Sequence, residues 1–152
     1  MTSVRMPADE AWQFVKDSHT GIFTSLRRDG TPVALPLWYV AADGVVWLTT
    51  PSRSKKVSRV KANPQTSFLV ESGVHWSELK AVQFGCTATV VRGDEAMQIE
   101  RMKNEKYAAF RTSRSQMPAA TRAHYEDERV AIRLEPGERI ITWDNSRLGE
   151  VK

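Results

Sequence analysis

The pattern of apolar and polar positions predicts an opening helix followed by β-strands. Residues 7–18 favour a helix, because Pro7 suits a first helical turn and Asp9 and Glu10 lie near the positive end of the helix dipole. Thr20-Gly21 then ends the helical pattern. The apolar side of this predicted helix is formed by Trp12, Phe14 and Val15.

Beyond this helix the pattern changes to that of strands. Three runs rich in β-branched and aromatic residues cover residues 22–26, 33–40 and 45–50. Asp-Gly pairs separate the runs and are a strong hairpin signal, so we expect the three strands to form an antiparallel meander. Pro32 and Pro36 fall in or beside the second run. They predict an edge strand or a bulge, where a ligand can approach free backbone groups.

The rest of the chain alternates between predicted helices and strands. A long predicted strand over residues 79–92 contains Gly85, which indicates a bulge or a sharp bend. The other predicted elements are a short helix over 54–62, a strand over 66–71, a helix from 95 to about 111, a short helix over 118–125, and two last strands over 129–134 and 139–143. Six or seven antiparallel strands with three or four inserted helices predict a mainly β fold, a small closed barrel.

Composition and length describe an ordinary single domain. The chain has 152 residues, of which 41% are hydrophobic and 26% charged, so we assign residues 1–152 to one domain. No apolar run approaches the length of a membrane span, and the N-terminus lacks the apolar core of a signal peptide. The single cysteine, Cys86, fits a reducing compartment. We therefore expect a cytoplasmic protein that does not bind membranes.

The charge pattern argues against a nucleic-acid partner. The net charge is +4, from 22 basic and 18 acidic residues, and these charges are interspersed along most of the chain. The sequence has no arginine-rich tail and no zinc-finger spacing. The excess of positive charge fits an anionic partner, and nucleic acid is not the first choice.

The sequence lacks the motifs of several reaction classes. It has no Gly-x-Ser-x-Gly elbow, no His-Glu-x-x-His, and neither the Rossmann nor the P-loop glycine pattern. The three histidines are widely spaced, and no metal-ligand spacing is visible. Cys86 lies within a predicted strand, where a buried structural thiol is expected rather than a nucleophile. No catalytic residue and no metal site follow from these patterns.

A basic segment over residues 49–64 is the main candidate for a binding site. Hydroxyl side chains alternate there with cations, and no acidic residue occurs. Because the segment leads from a predicted strand into a predicted helix, its hydroxyls, backbone N–H groups and lysines could converge on a phosphate. The alternative interpretation is a solvated basic turn at the surface.

Short motifs in a fixed order extend from residue 20 to residue 148. They are Thr20-Gly21-Ile22-Phe23-Thr24-Ser25-Leu26, Asp29-Gly30-Thr31-Pro32, Pro36-Leu37-Trp38-Tyr39, Asp43-Gly44, Thr49-Thr50, Ser54-x-Lys56, Asn63-Pro64, Trp76-x-Glu78-Leu79-Lys80 and Ile141-Thr142-Trp143-Asp144-Asn145-Ser146 with Leu148. Their order and spacing resemble the pyridoxamine 5′-phosphate oxidase-like superfamily of split-barrel proteins. Members of this superfamily bind FMN or the deazaflavin coenzyme F-420.

The resemblance implies a homodimer with two cofactor sites at the subunit interface. It implies that the flavin or deazaflavin ring lies against the second and third predicted strands, and that Ser54 and Lys56 hold the cofactor phosphate. Trp76 would reach across the interface, and Trp143 would line the site from the C-terminal end. The cofactor-binding residues that it implies are Leu35, Pro36, Leu37, Trp38, Thr49, Thr50, Pro51, Ser54, Lys55, Lys56, Arg59 and Trp76.

The sequence departs from the pyridoxamine phosphate oxidases in one respect. The arginine-rich motif expected near their C-terminus is not apparent, which argues against vitamin B6 oxidation. The resemblance therefore implies an oxidoreductase that transfers a hydride between F-420, or next FMN, and an electron-poor conjugated small molecule. F-420 is favoured because its acidic tail would suit the cations of residues 53–61. The alternative is a non-catalytic split-barrel protein that sequesters a flavin or haem.

Overall fold

The structure is a computed structural model that describes residues 3–149, apart from the side chains of residues 124–126. Residues 150–152 lie outside this described part. Its helices and strands are α1 (Ala8–Asp17), β1 (Gly21–Leu26), β2 (Pro32–Leu37), β3 (Val40–Ala42), β4 (Val45–Pro51), α2 (Lys55–Ala62), β5 (Gln65–Ser72), β6 (Lys80–Val91), α3 (Asp94–Lys106), α4 (Ala119–Glu126) and β7 (Arg129–Asp144).

The seven strands form one antiparallel sheet, in the order β2-β1-β5-β6-β7-β4-β3. The sheet curls into a half-barrel, which confirms the predicted mainly β, split-barrel fold class. Its edges, β2 and β3, are not paired with each other within residues 3–149, so the barrel is split rather than closed. The prolines at Pro32 and Pro36 lie on edge strand β2, as predicted, because a proline cannot donate a ladder hydrogen bond.

The predicted meander of three strands is wrong. The run over residues 33–40 belongs to two strands, β2 and β3, which lie at opposite edges of the sheet. Tyr39 separates them because its backbone groups leave the ladder. Its N–H donates to the Tyr107 hydroxyl at 3.0 Å, and its own hydroxyl donates to the Val15 carbonyl. A long-range contact therefore divides a run that is continuous in sequence.

The prediction of two separate last strands is also wrong. Residues Arg129–Asp144 form one continuous strand, β7, which pairs with β6 along most of its length. The register shifts between Phe84 and Cys86, which confirms the bulge predicted at Gly85. Pro136 pairs opposite Cys86, directly beside this bulge. The bulge bends both strands together, so Pro136-Gly137 produces a bend rather than a break.

Two packed clusters hold α1, α2 and α3 against the sheet. The larger cluster contains Phe23, Phe68 and Phe84 and receives α1 and α2. The smaller one packs Ala96 and Ile99 of α3 against Trp47 on β4. Within the described chain, no helix is long and apolar enough to cross a membrane. The packing of α3 on this side of the sheet sets its polar residues beside the end of β4.

Candidate functional site

The end of β4 and the start of α2 form a turn rich in hydroxyl groups. The buried Thr50 donates its hydroxyl to Ser54 Oγ at 3.0 Å, and the Ser54 N–H donates to the Pro51 carbonyl at 3.0 Å. Ser54 is the residue that precedes α2, and its side chain makes no capping bond to the helix. Since a hydroxyl has one proton to donate, Ser54 can still donate it to a ligand.

A cavity of about 440 Å³ opens between this turn and the neighbouring strands. Its walls combine apolar side chains from the end of β2, hydroxyls from β4 and three cations. The lining residues are Pro36, Leu37, Trp38, Thr49, Thr50, Pro51, Lys56, Lys103 and Arg129. Seven of them, all except Lys103 and Arg129, belong to the set implied by the family resemblance. The fold thus brings together segments that are far apart in sequence.

The other five implied residues lie outside the lining of this cavity. Lys55 is exposed, and Leu35 is 42% exposed on edge strand β2. The side chain of Arg59 donates through Nε to Ser25 Oγ at 2.8 Å. Trp76 is 62% exposed in a short 3-10 helix. Ser54 does not line the cavity, but it is hydrogen-bonded to Thr50, which does. The roles of all five residues stay predictions.

An ion cluster at the cavity wall was not predicted from the sequence. Lys103 Nζ donates to Thr49 Oγ1 at 2.5 Å and lies 3.1 Å from Glu100 Oε2. Arg129 Nε lies 3.2 Å from the same carboxylate oxygen. Glu100 and Lys103 are one turn apart on α3, and Arg129 begins β7. These residues meet at β4 only because α3 packs against the sheet. A local sequence motif therefore does not predict their position.

Burial makes the two lysines of this site easier to deprotonate. Burial lowers the pKa of Lys103 to about 8, with a contribution from the nearby Arg129 charge. Burial also lowers the pKa of Lys56, and the charges of Arg59 and Arg129 act in the same direction. Burial alone would raise the pKa of Glu100, but the Thr49 hydroxyl, Lys103 and Arg129 hold it below its ordinary value. The site thus concentrates positive charge with one ionised carboxylate.

The aromatic wall of the cavity is held rigidly. Trp38 stacks on Tyr107, with ring centroids 4.4 Å apart and planes within 1° of parallel. The Tyr107 hydroxyl donates to the His19 carbonyl at 2.8 Å, and Lys106 Nζ donates to the Tyr39 carbonyl at 3.2 Å. These bonds fix the connection between β2 and β3 against the end of α3. The indole of Trp38 therefore presents a fixed apolar surface to the cavity.

This set of side chains fits a flavin-type cofactor. A flat apolar ring matches Pro36, Leu37 and Trp38, and a phosphate matches Lys56 and the hydroxyls of β4. None of the described side chains that line the cavity is a His, Cys, Met or Tyr, the residues that ligate a haem iron. Among the described residues, no group of three or more His, Cys, Asp or Glu could hold a metal ion.

Comparisons with known proteins agree with this geometry. The model of the family described as pyridoxamine 5′-phosphate oxidase matches residues 7–142. No curated protein matches. The chain is similar to a crystal structure of the conserved hypothetical protein Rv2991 from Mycobacterium tuberculosis. The two are 28% identical with a TM-score of 0.82, over 100% of this chain and 93% of that one.

Two further solved structures share the fold at lower identity. An F-420 reductase is 20% identical, with a TM-score of 0.67, over 90% of this chain and 98% of its own. HutZ, a haem storage protein from Vibrio cholerae, is 15% identical, with a TM-score of 0.66, over 90% of this chain and 94% of its own. Proteins of this fold therefore include both a reductase and a haem-storage protein.

Proposed function

The chain belongs to the pyridoxamine 5′-phosphate oxidase family, and we propose that it is an oxidoreductase with a flavin-type cofactor. The preferred cofactor is the deazaflavin F-420, with FMN next, and the substrate is an electron-poor conjugated small molecule. The observation that carries the proposal is the cavity of about 440 Å³, which combines a rigid apolar wall with a cation and hydroxyls. That combination suits a ring joined to a phosphate.

Each part of the cavity has a distinct role in this proposal. Lys56 binds the phosphate as a cation, and Ser54 donates a hydrogen bond to it. Trp38 and its support Tyr107 exclude water from one side of the ring. A bound flavin or deazaflavin supplies the hydride-transfer chemistry itself, so the protein needs no nucleophile of its own. Lys103 places a partly buried ammonium group in the same cavity, where it stabilises negative charge on the bound molecules.

The charge distribution around α2 supports F-420 over FMN. Arg53, Lys55 and Lys61 are exposed on or beside this helix, whose first turn contains no acidic residue. F-420 carries an acidic glutamyl tail beyond its phosphate, and FMN does not. Exposed cations beyond the phosphate site therefore favour the longer, more negative cofactor. An F-420 reductase among the proteins with this fold supports the same choice.

The rival function is a non-catalytic protein that sequesters a flavin or haem. The fold is compatible with haem storage, since HutZ shares it. None of the described side chains that line the cavity of about 440 Å³ is an axial haem ligand, which favours a flavin-type molecule over haem. Reoxidation of the reduced cofactor by an added acceptor distinguishes a catalyst from a flavin-sequestering protein.

We also propose that the protein is a cytoplasmic homodimer. Large apolar side chains are exposed near the end of β7, where Ile141 is 56% and Trp143 36% exposed. Trp76 lies close to this region, because its carbonyl accepts a hydrogen bond from Asn145 at 2.8 Å. A second copy of the chain would cover this surface. The free, buried Cys86 fits a reducing compartment.

Cofactor titration followed by turnover tests the proposal. The purified protein is titrated with F-420 and, separately, with FMN, and the affinity for each is measured from absorbance changes. We expect both to bind, with F-420 the tighter. The reduced cofactor is then mixed with a panel of enones and quinones, and its reoxidation is followed under anaerobic conditions. Tight cofactor binding without reoxidation by any acceptor would favour the sequestering protein, and haem binding in preference to both would overturn the cofactor assignment.

A further inference from the structure

A second cavity, of about 170 Å³, lies beside the first. The two cavities share three lining residues, Trp38, Lys103 and Arg129. The remaining walls of the second cavity come from α3 and from the segment between α3 and β7, which contributes three arginines and a methionine. These remaining residues are Glu100, Arg111, Arg114, Met117 and Arg122.

Positive charge greatly exceeds negative charge around this second cavity. Among the described side chains, five cations line it, against the single carboxylate of Glu100. That carboxylate already has two cationic partners, since Lys103 lies 3.1 Å and Arg129 3.2 Å from its Oε2. Within the described side chains, Arg114 and Arg122 form no ion pair. Arg111, Arg114 and Arg122 are exposed, so water screens their repulsion. The excess of positive charge still attracts an anion to this cavity.

The position of the second cavity separates it from the proposed phosphate site. It shares Trp38, Lys103 and Arg129 with the first cavity but none of the first cavity's lining residues between 50 and 56. A cofactor tail would continue from the phosphate, which we assign to Lys56 and Ser54. An occupant of the second cavity instead approaches from the Trp38 side, where we assign the ring. The second cavity is therefore placed for a second molecule beside the cofactor ring.

We infer that the second cavity binds the carboxylate end of an acidic conjugated substrate. Its carboxylate pairs with Arg114 and Arg122, whose planar guanidinium groups suit bidentate contacts with a carboxylate. The apolar part of the molecule lies against Met117 and the indole of Trp38. The inference rests on the proposed function in calling this ligand a substrate, whereas the anion preference rests on the cavity alone.

A matched pair of small probes tests the anion preference. Cinnamate and its neutral amide, cinnamamide, are titrated into the cofactor-free protein and into the F-420-loaded protein by calorimetry at low salt. We expect cinnamate to bind at least about tenfold more tightly than cinnamamide, the size of effect that one charge-assisted bond provides. Equal affinities for the two probes, or no binding of cinnamate, would overturn the inference.

Arginine variants locate the site of this preference. Arg114→Gln and Arg122→Gln are each expected to weaken cinnamate binding by about tenfold and to leave cinnamamide binding unchanged. Arg28→Gln is the matched control, because Arg28 is exposed between β1 and β2 and lines neither cavity. A loss of cinnamate affinity in the Arg28 variant equal to that in the Arg114 variant would show a general charge effect and contradict the assignment.

A cofactor series separates a substrate carboxylate from the carboxylates of the F-420 tail. The affinities for F-420 with long and short glutamyl tails are measured in the same variants. We expect the two arginine variants to bind both forms as the unaltered protein does. A selective loss of affinity for the long tail would assign the cavity to the cofactor and overturn the inference. If F-420 and FMN do not bind at all while cinnamate selectivity survives, the proposed function fails and the anion site stands.

Discussion

At the scale of single residues, two neighbouring lysines of α2 have different environments. Lys55 is exposed, whereas Lys56 is half-buried and lines the cavity of about 440 Å³. In sequence they are indistinguishable members of one basic run. The structure therefore separates a lysine that can hold a phosphate from one that faces solvent.

Removal of Lys56 is predicted to weaken cofactor binding. Lys56→Ala should raise the Kd for F-420 and for FMN by about tenfold to a hundredfold, because a charge-assisted contact with the phosphate is lost. Lys55→Ala is the control and should change the Kd for FMN by less than about twofold. The measurement is an absorbance titration with each cofactor. Equal effects of the two variants on FMN binding would remove the phosphate assignment.

Lys103 gives a prediction about pH and stability. Its folded-state pKa of about 8 lies below its ordinary value of 10.5, so the unfolded chain binds more protons between these two pH values. The free energy of unfolding should therefore rise with pH across this window, by up to about 3 kcal/mol from this group. Lys103→Met should lack that gain, and so should Lys103→Arg, which stays charged throughout.

Chemical denaturation at several pH values between 7 and 10.5 measures this difference. At each pH, the free energy of unfolding of each variant is subtracted from that of the unaltered protein. The change of this difference with pH is the contribution of Lys103. Other buried lysines contribute equally to all three proteins and cancel. Stability curves that run parallel for the unaltered protein and Lys103→Met across the window would contradict a lowered pKa for Lys103.

At the scale of elements, two glycines in strands differ in how much space a side chain would have. A Cβ added at Gly21, in β1, would lie only 2.2 Å from the ring of Phe68, which is fully buried. A Cβ at Gly85, in the bulge of β6, would have its nearest neighbour 4.0 Å away at the Thr66 carbonyl oxygen. Gly21 is therefore required for the packing of β1 on the core, whereas Gly85 tolerates a side chain.

Alanine substitutions at these two glycines should differ in stability. Gly21→Ala is predicted to lower the free energy of unfolding by about 1–3 kcal/mol, because the core must shift to admit the methyl group. Gly85→Ala, the matched control, should change it by less than about 1 kcal/mol. Urea denaturation of both variants measures the difference. Equal stability of the two variants would contradict the close approach between β1 and Phe68.

At the scale of the whole molecule, a large apolar surface lies beside the end of β7. Ile141 and Trp143 lie two residues apart in the strand, so their side chains share one face of the sheet. Both are exposed in the single chain, together with Trp76 nearby. An exposed patch of this kind is typical of an interface. The proposed homodimer and its cofactor sites depend on whether a second copy covers it.

A charge placed in this patch should disrupt the proposed dimer. Ile141→Lys is predicted to shift the protein towards monomer and to weaken F-420 binding, because the proposed cofactor sites need both subunits. Met97→Lys is the control, since Met97 on α3 is 57% exposed, close to the 56% of Ile141. Sedimentation velocity measures the oligomeric state of each variant. A monomeric unaltered protein, or an Ile141→Lys dimer as stable as the unaltered one, would refute this interface.

The sequence alone determined most of the local elements and the mainly β fold class. Hydrophobic periodicity and turn residues placed most strands and all four helices, since these signals act between residues close in the chain. The same reasoning failed at Tyr39, which a hydrogen bond to Tyr107 draws out of the sheet, and at Pro136-Gly137, which pairs across a bulge. Both outcomes depend on partners more than 45 residues away in sequence.

The residues of the candidate site were likewise only partly predictable from the sequence. The family resemblance and the basic segment supplied seven of the nine residues that line the cavity, including Lys56 and Trp38. Lys103 and Arg129 carry no local signal, because isolated cations in a helix and at a strand start usually face solvent. Packing of α3 against the sheet brings them to Thr49 and opens the second, arginine-rich cavity. Pairing and helix packing decide such contacts, and both arise only when the whole chain has folded.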